Sequence, residues 1–432
     1  MRIGILNIGD ELLAGKILNT NQFELARLLS PLGHDIPYGL VVGDDEDALG
    51  RALHLALAGD AGEGPHPDAS SGNLSWPGVD ALVLTGGLGP TRDDLTRQAC
   101  AAFLGVETAE HPEALAWLGA FLGKPVEDLP WGQRVQARVP SGTQPLRNPA
   151  GTACGFRFVR GSVQVFAFPG VPKELEAMAR MHLLPALVSD RVLLEKGLWT
   201  WGWSESDQRQ CLEGLRLPDS FRFSSLPGER GVRISLQCLC PPAERGKREG
   251  ELAGYWRDLL AAIPPAVVVD PEGSALPEAV YNELLARGAT VSAAESCTGG
   301  GLGFLLTETP GSSAVFTQGF MTYSNAAKIE LLGVEPLVLE RHGAVSEETA
   351  LAMARNCLER AGTTYAVAIT GVAGPGGGTP EKPVGTVWIA VASRQSSHAR
   401  KYLFRGDRQA VRWRSCYSAL NHLRLFITGQ LT

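Results

Sequence analysis

The chain has 432 residues, enough for two or three domains, and its 44% hydrophobic and 20% charged residues are an ordinary globular composition. Its 39 basic and 46 acidic side chains give a net charge of −7, which argues against direct nucleic-acid binding. No apolar run is long enough to cross a bilayer and the 8 cysteines form no C-x-x-C pair, so we expect a cytoplasmic protein with reduced thiols, no zinc site and no membrane contact.

The first part of the chain alternates between strand and helix patterns. Thr20 or Asn21 is expected to cap a helix that ends at Leu32, and Asp44 to cap the next one. Residues 59–78 are rich in Gly, Pro, Ser and Asp and are interpreted as a surface loop. This alternation predicts a mainly parallel sheet with helices on both faces. The predicted strands are 2–8, 35–42, 81–85, 155–159 and 163–168.

The pattern changes near residue 187 and changes back near residue 270. The middle segment predicts a small α+β unit with strands at 192–200 and 232–239, and helices at 205–215 and 244–262. After it, strands ending at 295, 323, 370 and 392 again alternate with helices. We therefore predict two α/β domains with mainly parallel sheets, residues 1–172 and 269–432, joined by a small α+β domain at 173–268.

Two polar loops follow predicted strands of the first domain, where ligands bind in open parallel sheets. Glycines let backbone amides approach a phosphate, and a threonine hydroxyl can add to them. The acidic residues offer hard oxygen ligands for Mg²⁺ bridging a diphosphate. Alternatively, the acids only complement a helix dipole or cap a turn. The loop residues are Asp10, Glu11, Asn19 and Asn21 after the first strand, and Gly86, Gly87, Gly89, Pro90, Thr91, Asp93 and Asp94 after the third.

The motifs Gly-Asp-Glu-Leu-Leu-x-Gly-x-x-x-Asn-Thr-Asn and Gly-Gly-Leu-Gly-Pro-Thr-x-Asp-Asp, with residues 148–153 and 168–174, resemble the N-terminal domain of the CinA family, which is related to molybdopterin-binding domains. The resemblance implies an ADP-ribose pyrophosphatase that yields AMP and ribose 5-phosphate with a divalent cation, expected to be Mg²⁺. It places ligand contacts on the glycine loop and on Asn19 and Asn21. It assigns binding of the metal or of the attacking water to Asp10, Asp93 and Asp94.

A third polar turn, Glu-Ser-Cys-Thr-Gly-Gly-Gly, follows the strand that ends at residue 295. It presents the hydroxyls of Ser296 and Thr298 and the thiol of Cys297 beside the N–H groups of a helix N-terminus. That arrangement is typical of a site for an anion or a developing oxyanion. The alternative is a turn that only ends a strand.

With residues 319–328, 370–379 and 382–387, this turn resembles the C-terminal domain of the CinA family, a nicotinamide-nucleotide amidase. The order of the three segments resembles full-length members, and the middle segment resembles their KH-like domain. Its tryptophans, Trp199, Trp201 and Trp203, are interpreted as core residues rather than as platforms for stacked bases. The resemblance implies that nicotinamide mononucleotide is converted to nicotinic acid mononucleotide and ammonia with no metal, and it implies a homodimer.

Amide hydrolysis needs a nucleophile, a base and an oxyanion site. Ser296 is the predicted nucleophile, with Cys297 as the rival. Since the histidines of this domain lie outside every glycine motif, a partly buried lysine is the better base, and Lys328 fits, with Tyr323 one helical turn away to orient a hydroxyl. The predicted nucleotide contacts are Thr298, Gly299, Gly300, Thr370, Gly371, Gly374 and, for the 5′-phosphate, Arg408.

The leading hypothesis is therefore a bifunctional pyridine-nucleotide hydrolase. A non-catalytic competence protein that binds a recombination protein is the alternative from another class. In a third interpretation the N-terminal domain only binds a pterin nucleotide. Ammonia release from nicotinamide mononucleotide separates the first from the second, and AMP release from ADP-ribose separates it from the third.

Overall fold

The computed structural model describes residues 1–57, 77–212 and 214–431. The chain divides into two compact units: Met1–Leu194 with Cys238–Glu249, and Glu195–Gln237 with Gly250–Thr432. Apart from its last two residues, the loop predicted at 59–78 lies outside the described residues. Within the described part of the chain, no helix is long and apolar enough to cross a membrane.

The first unit contains a six-stranded sheet in the order β2-β1-β3-β8-β7-β6, in which β2, β1, β3 and β8 are parallel and β7 and β6 form an antiparallel edge. Two short strands, β4 and β5, pair separately. The strands are β1 (Ile3–Ile8), β2 (Gly39–Val42), β3 (Ala81–Thr85), β4 (Thr108–Glu110), β5 (Arg138–Pro140), β6 (Gln144–Leu146), β7 (Gly155–Arg160) and β8 (Val163–Phe168). The helices are α1 (Asp10–Leu13), α2 (Thr20–Leu29), α3 (Glu46–Leu57), α4 (Thr96–Leu104), α5 (Pro112–Leu122), α6 (Trp131–Arg134) and α7 (Pro172–Met178).

Strand β1 is buried on both faces, which explains its continuous apolar sequence. Ile3 and Ile5 pack into one hydrophobic cluster, whereas Leu6 and Ile8 pack into another on the opposite face. Burial of both faces by helices and loops is the physical reason that the apolar runs of this domain predicted parallel strands correctly.

Several predicted boundaries in this unit are wrong. Asn19, not Thr20 or Asn21, caps α2, because its side chain accepts a hydrogen bond from the N–H of Gln22. Asp45, not Asp44, accepts the N–H of Ala48 at the start of α3. The strand predicted at 35–42 is reduced to β2, since Pro37 has no N–H to offer a ladder.

The middle segment folds into a three-stranded sheet in the order β10-β11-β9 with two helices. The strand at Phe221–Gly228 was not predicted, because only its first residue is buried and its sequence therefore shows no alternation of apolar and polar residues. Trp203 is buried, and the ring of Trp201 stacks on that of Tyr417 at 5.5 Å, so both serve in packing. The elements are β9 (Val192–Thr200), α8 (Glu205–Leu212), β10 (Phe221–Gly228), β11 (Gly231–Cys240) and α9 (Arg245–Ala262).

The C-terminal segment forms a five-stranded sheet in the order β13-β12-β14-β15-β16. β13, β12 and β14 are parallel, and β15 and β16 continue the sheet antiparallel. The strands are β12 (Val291–Glu295), β13 (Phe316–Met321), β14 (Tyr365–Gly371), β15 (Thr386–Ser393) and β16 (Ser397–Leu403). The helices are α10 (Leu276–Ala286), α11 (Gly301–Leu306), α12 (Asn325–Leu332), α13 (Pro336–His342), α14 (Glu347–Ala361) and α15 (Arg408–Ile427).

Helices α14 and α15 supply buried residues to two separate clusters against this sheet: Met353 and Cys357 pack into one, and Cys416 and Leu420 into the other. Edge strand β16 was not predicted, since none of its residues is fully buried and its sequence shows no apolar face. The predicted fold class, α/β domains with mainly parallel sheets, is confirmed.

Candidate active site

Ser296 directly follows β12, the strand that lies between β13 and β14. Its N–H donates to the carbonyl of Ile369 on β14 at 3.0 Å. On the other side, the N–H of Thr322 donates to the carbonyl of Glu295 at 2.7 Å. Backbone hydrogen bonds therefore hold the start of the turn against both neighbouring strands.

The side chains of Lys328 and Ser296 meet. α12 is capped by Ser324, whose hydroxyl accepts the N–H of Ala327, and this places Lys328 in the first turn. Nζ of Lys328 donates to Oγ of Ser296 at 3.0 Å and to the carbonyl of Thr322 at 2.8 Å. Lys328 is 1% exposed and Ser296 is 7% exposed, so water has little access to the pair.

Burial lowers the pKa of Lys328 from 10.5 to about 8, and the nearby Cys297 opposes this shift slightly. Roughly a tenth of the lysine is therefore uncharged at pH 7. An uncharged Nζ can accept the hydroxyl proton of Ser296, which is what a general base for a serine nucleophile must do.

The pair opens into a cavity of about 250 Å³ that brings together several of the predicted residues. The hydroxyl of Thr370 donates to the carbonyl of Ala344 at 2.6 Å, so its proton is engaged while its oxygen can still accept. The lining residues are Ser296, Cys297, Tyr323, Lys328, Ala344, Val345, Thr370, Gly371, Ala373 and Arg408.

Arg408, in the first turn of α15, lies at this cavity with Tyr323. Its guanidinium donates to the carbonyl of Gly374 at 2.7 Å and to the hydroxyl of Tyr323 at 3.3 Å. Tyr323 lies between β13 and the cap of α12, so the strand predicted to end at residue 323 ends two residues earlier, and Tyr323 is outside the helix that carries Lys328. Among the hydrogen bonds of the described residues, none joins Tyr323 to Ser296 or Lys328.

Glu295 is the residue that the sequence analysis missed. It is 3% exposed, and its carboxylate accepts the N–H groups of Gly300 at 3.0 Å, Leu302 at 3.1 Å and Gly303 at 2.8 Å. The expectation that the N-terminus of α11 is open to an external anion is therefore wrong. The available signal was an acid just before a glycine-rich helix start, where a carboxylate complements the helix dipole.

Two N–H groups of the same turn bond no other residue. Among the hydrogen bonds between different residues in the described part of the chain, none uses the backbone N–H of Cys297 or Thr298, and the N–H of Cys297 contacts only its own thiol. The side chain of Thr298 is fully buried, and neither Thr298, Gly299 nor Gly300 lines the cavity. The structure therefore does not bring these three predicted contacts to the cavity that contains Ser296.

Cys297 is a buried thiol whose pKa is raised to about 12 by burial. At pH 7.5 we expect iodoacetamide to leave it unmodified in the native protein, because the thiolate is the reactive form. Peptide mass spectrometry measures this, with Cys211, the one thiol of the described residues that is not buried, as the internal control. Rapid alkylation of Cys297 ahead of Cys211 would contradict the expectation and restore it as a candidate nucleophile.

The two polar loops of the first unit lie at the same end of its sheet, since β1 and β3 are parallel neighbours. Gly86 has φ +112°, and a Cβ built there would lie 2.2 Å from the carbonyl oxygen of Ile8. Only glycine fits this close approach. Asn21 links α2 to the end of β3 and to the loop after β8. Its amide donates to the hydroxyl of Thr85 at 2.9 Å and to the carbonyl of Gly170 at 2.7 Å.

Asp94 stabilises the glycine loop from within. Its carboxylate accepts the N–H of Gly89 at 2.7 Å, the N–H of Thr91 at 2.7 Å and the hydroxyl of Thr91 at 2.6 Å. The buried guanidinium of Arg97 donates to the carbonyls of Leu88 and Gly89. Asp94 and Thr91, both predicted to contact ligand or metal, thus bind each other.

The predicted metal residues do not form a protein-only metal site. No group of three or more His, Cys, Asp or Glu among the described residues is placed to hold a metal ion. Asp10 and Asp44 each accept the other's backbone N–H, at 3.2 and 2.9 Å. Burial, and then the charges of Asp10, Glu11 and Asp94, raise the pKa of Asp44. Asp93 is exposed.

The remaining residues predicted for this site are divided between structural and exposed positions. The side-chain oxygen of Asn19 serves as the helix cap described above. Gly87 has φ +63° and packs against Thr96, whereas Pro90 is exposed. Asn7, which was not predicted, is buried nearby with its amide donating to Gln22 and Leu40.

Comparison with known proteins covers nearly the whole chain. Residues 273–427 match the family profile "CinA C-terminal domain", and residues 4–62 and 69–189 match "Probable molybdopterin binding domain". A "CinA-like protein" of Geotalea daltonii is 37% identical over 430 residues, 98% of each chain. Another, of Chlorobaculum tepidum, is 37% identical over 441 residues, again 98% of each chain.

Two solved structures match one part of the chain each. The competence/damage inducible protein of Agrobacterium tumefaciens is 41% identical, covers 35% of this chain and 93% of its own, and has a TM-score of 0.35. The protein CinA of Thermoplasma acidophilum is 31% identical, covers 43% of this chain and 98% of its own, and has a TM-score of 0.37.

Proposed function

This chain belongs to the CinA family, and we propose that its C-terminal domain deamidates nicotinamide mononucleotide to nicotinic acid mononucleotide and ammonia. The observation that carries the proposal is the 3.0 Å contact between Nζ of Lys328 and Oγ of Ser296, buried at the edge of a cavity. A hydroxyl beside a lysine of lowered pKa is a nucleophile with its base.

The proposed reaction begins when uncharged Lys328 takes the proton of Ser296 as Oγ attacks the carboxamide carbon. The N–H of Cys297, the residue of the cavity lining that follows the nucleophile, donates to the oxyanion that develops. Nζ then returns the proton to the amide nitrogen, the C–N bond breaks, and ammonia leaves. Water, deprotonated by the same lysine, attacks the acyl-Ser296 ester and releases the carboxylate product. No step needs a metal.

The polar groups of the cavity support binding of a nucleotide in one orientation. Arg408 is a basic side chain at the cavity and has the planar donor set that binds a phosphate in a bidentate manner. Tyr323, hydrogen-bonded to Arg408, is exposed at the same opening, and the acceptor oxygen of Thr370 suits a ribose hydroxyl. The carboxamide then reaches Ser296 while the phosphate stays at Arg408.

The test is ammonia release from nicotinamide mononucleotide by the wild-type chain, with and without EDTA. We expect stoichiometric ammonia and nicotinic acid mononucleotide, and no effect of the chelator. A competence protein that only binds a recombination partner would release none, and that result would remove the proposal. Analytical ultracentrifugation of the same sample tests the expected homodimer.

For the N-terminal domain we propose hydrolysis of the Mg²⁺ complex of ADP-ribose to AMP and ribose 5-phosphate. The proposal is supported by two glycine-containing loops at the carboxyl ends of adjacent parallel strands, with Asp10 and Asp44 in contact beside the first and the exposed Asp93 on the second. Because the acids form no site of their own, the cation is proposed to arrive with the diphosphate, where it offsets phosphate charge. If ADP-ribose binds without AMP release, a nucleotide-binding role replaces this one.

Asp93→Ala is the variant that tests this second activity. Asp93 is exposed and makes no hydrogen bond or ion pair among those of the described residues, so its loss should leave the loop folded. We expect AMP production to fall at least tenfold, while ammonia release from nicotinamide mononucleotide stays at the wild-type rate. The exposed Glu127→Ala in the same unit is the control. Unchanged AMP production in Asp93→Ala would remove Asp93 from the reaction.

A further inference from the structure

The buried carboxylate of Glu295 is attached to the residue immediately before Ser296. Its Oε2 accepts the N–H of Gly300 at 3.0 Å and of Leu302 at 3.1 Å, and its Oε1 accepts the N–H of Gly303 at 2.8 Å. The chain therefore leaves β12, turns through five residues and returns to the same carboxylate. Both ends of the turn that carries Ser296 are fixed by one side chain.

A positively charged side chain also holds this turn. Arg412 on α15 donates through Nε at 3.3 Å and through a terminal nitrogen at 2.7 Å to the carbonyl of Thr298. Within the turn, the N–H of Gly299 donates to the carbonyl of Ser296 at 3.2 Å. Gly301 packs tightly, since a Cβ there would lie 2.8 Å from Sγ of Cys416. The peptide planes of the turn are thus held from several directions.

This arrangement divides the N–H groups of the turn into two sets. Glu295 occupies the set at the start of α11, which would otherwise attract an anionic group. The set next to the nucleophile, at Cys297 and Thr298, bonds no other residue of the described part of the chain, and only Cys297 of the two lines the cavity. Arg408 lines the cavity whereas Glu295 does not, so a substrate phosphate in the cavity has a guanidinium to bind and no carboxylate of this turn to repel it.

We propose that Glu295 is a positioning residue for the deamidation proposed above: it fixes the turn so that Oγ of Ser296 meets Nζ of Lys328 and the N–H of Cys297 faces the reacting carbonyl. The inference rests on the proposed function. It differs from a purely stabilising role, since a stabilising residue changes how much protein is folded but not the rate of each folded molecule.

Glu295→Gln is the decisive variant because it preserves size but replaces one carboxylate oxygen by an NH₂ group, which cannot accept an N–H. We expect kcat to fall about a hundredfold, the effect of losing one oxyanion donor, with KM within about twofold. Glu295→Asp keeps two acceptor oxygens and should recover part of kcat. Ser292→Ala is the matched control: this buried hydroxyl of β12 bonds Thr363 at 2.8 Å and does not line the cavity.

The second readout is the rate at which a fluorophosphonate labels Ser296, followed by mass spectrometry and normalised to folded protein. Glu295→Gln should label at least tenfold more slowly, whereas Ser292→Ala should label and turn over like the wild type even if it unfolds at lower temperature. Wild-type rates per folded molecule in Glu295→Gln would overturn the inference.

The labelling also separates this inference from the proposed function. If the wild type is labelled but releases no ammonia, the deamidation fails and the labelling rates alone decide whether Glu295 positions Ser296. If the wild type is neither labelled nor active, Ser296 is not a nucleophile and both proposals are overturned.

Discussion

Ser296→Ala is expected to abolish ammonia release from nicotinamide mononucleotide, with a loss of at least a thousandfold in kcat. The variant removes the atom that forms the proposed ester, and the remaining N–H groups and binding contacts supply only the residual rate enhancement typical of serine-nucleophile variants. The side chain is small and 7% exposed, so the fold should be unaffected. Ammonia is measured with a coupled dehydrogenase assay.

Two controls make this result specific. Hydrolysis of ADP-ribose by the same Ser296→Ala preparation should stay at the wild-type rate, because the proposed diphosphate site lies in the other unit. Ser313→Ala, which changes an exposed serine of the same domain, should keep full ammonia release. If Ser296→Ala retains wild-type ammonia release, water or another group is the nucleophile and the Ser296–Lys328 pair has another purpose.

Lys328→Met is expected to remove ammonia release as completely as Ser296→Ala, because no other described basic group contacts Oγ of Ser296. In the wild type, log(kcat/KM) should rise with unit slope as the pH increases and level off above about 8, where Lys328 loses its proton. The rate rises with pH because Lys328 must be uncharged to act as the base. A flat profile between pH 6 and 9 would contradict the assignment of Lys328 as the base.

The same variant should be more stable than the wild type at pH 7. A pKa lowered from 10.5 to about 8 means that the buried ammonium destabilises the folded wild type by roughly 3 kcal/mol. Lys328→Met removes this cost but also loses the hydrogen bond to the carbonyl of Thr322, which offsets part of the gain. Between pH 8 and 10.5 only the unfolded lysine remains charged, so wild-type stability rises and the difference shrinks. Urea unfolding at pH 7 and pH 9.5 measures this; a constant difference would contradict it.

The positions of Ser296 and Lys328 in the sequence also explain why the two residues lie close together. Ser296 follows a strand, and Lys328 lies in the first turn of the helix after the adjacent strand, so sheet order alone brings the two backbone positions together. The depressed pKa of Lys328 was equally predictable in direction, because a lysine within an apolar and glycine-rich motif is desolvated.

The roles of the acidic residues could not be predicted in the same way. Glu295 and Asp94 each accept three hydrogen bonds from nearby loop or helix donors. Whether a carboxylate turns inward to such donors or outward to a ligand depends on side-chain torsions and on φ values of neighbouring glycines, which a residue pattern does not specify. Asp44 was predicted only as a helix cap for the same reason, since its contact with Asp10 joins segments 34 residues apart.

The backbone bonds that hold Ser296 to Ile369 and Glu295 to Thr322 join the carboxyl end of β12 to both neighbouring strands. We expect the amides of Ser296 and Thr322 to exchange slowly with solvent deuterium, because exchange requires the ends of these parallel strands to separate. A molecule entering the cavity therefore meets a nucleophile whose conformation already exists, and binding loses little entropy to ordering of the backbone at that point.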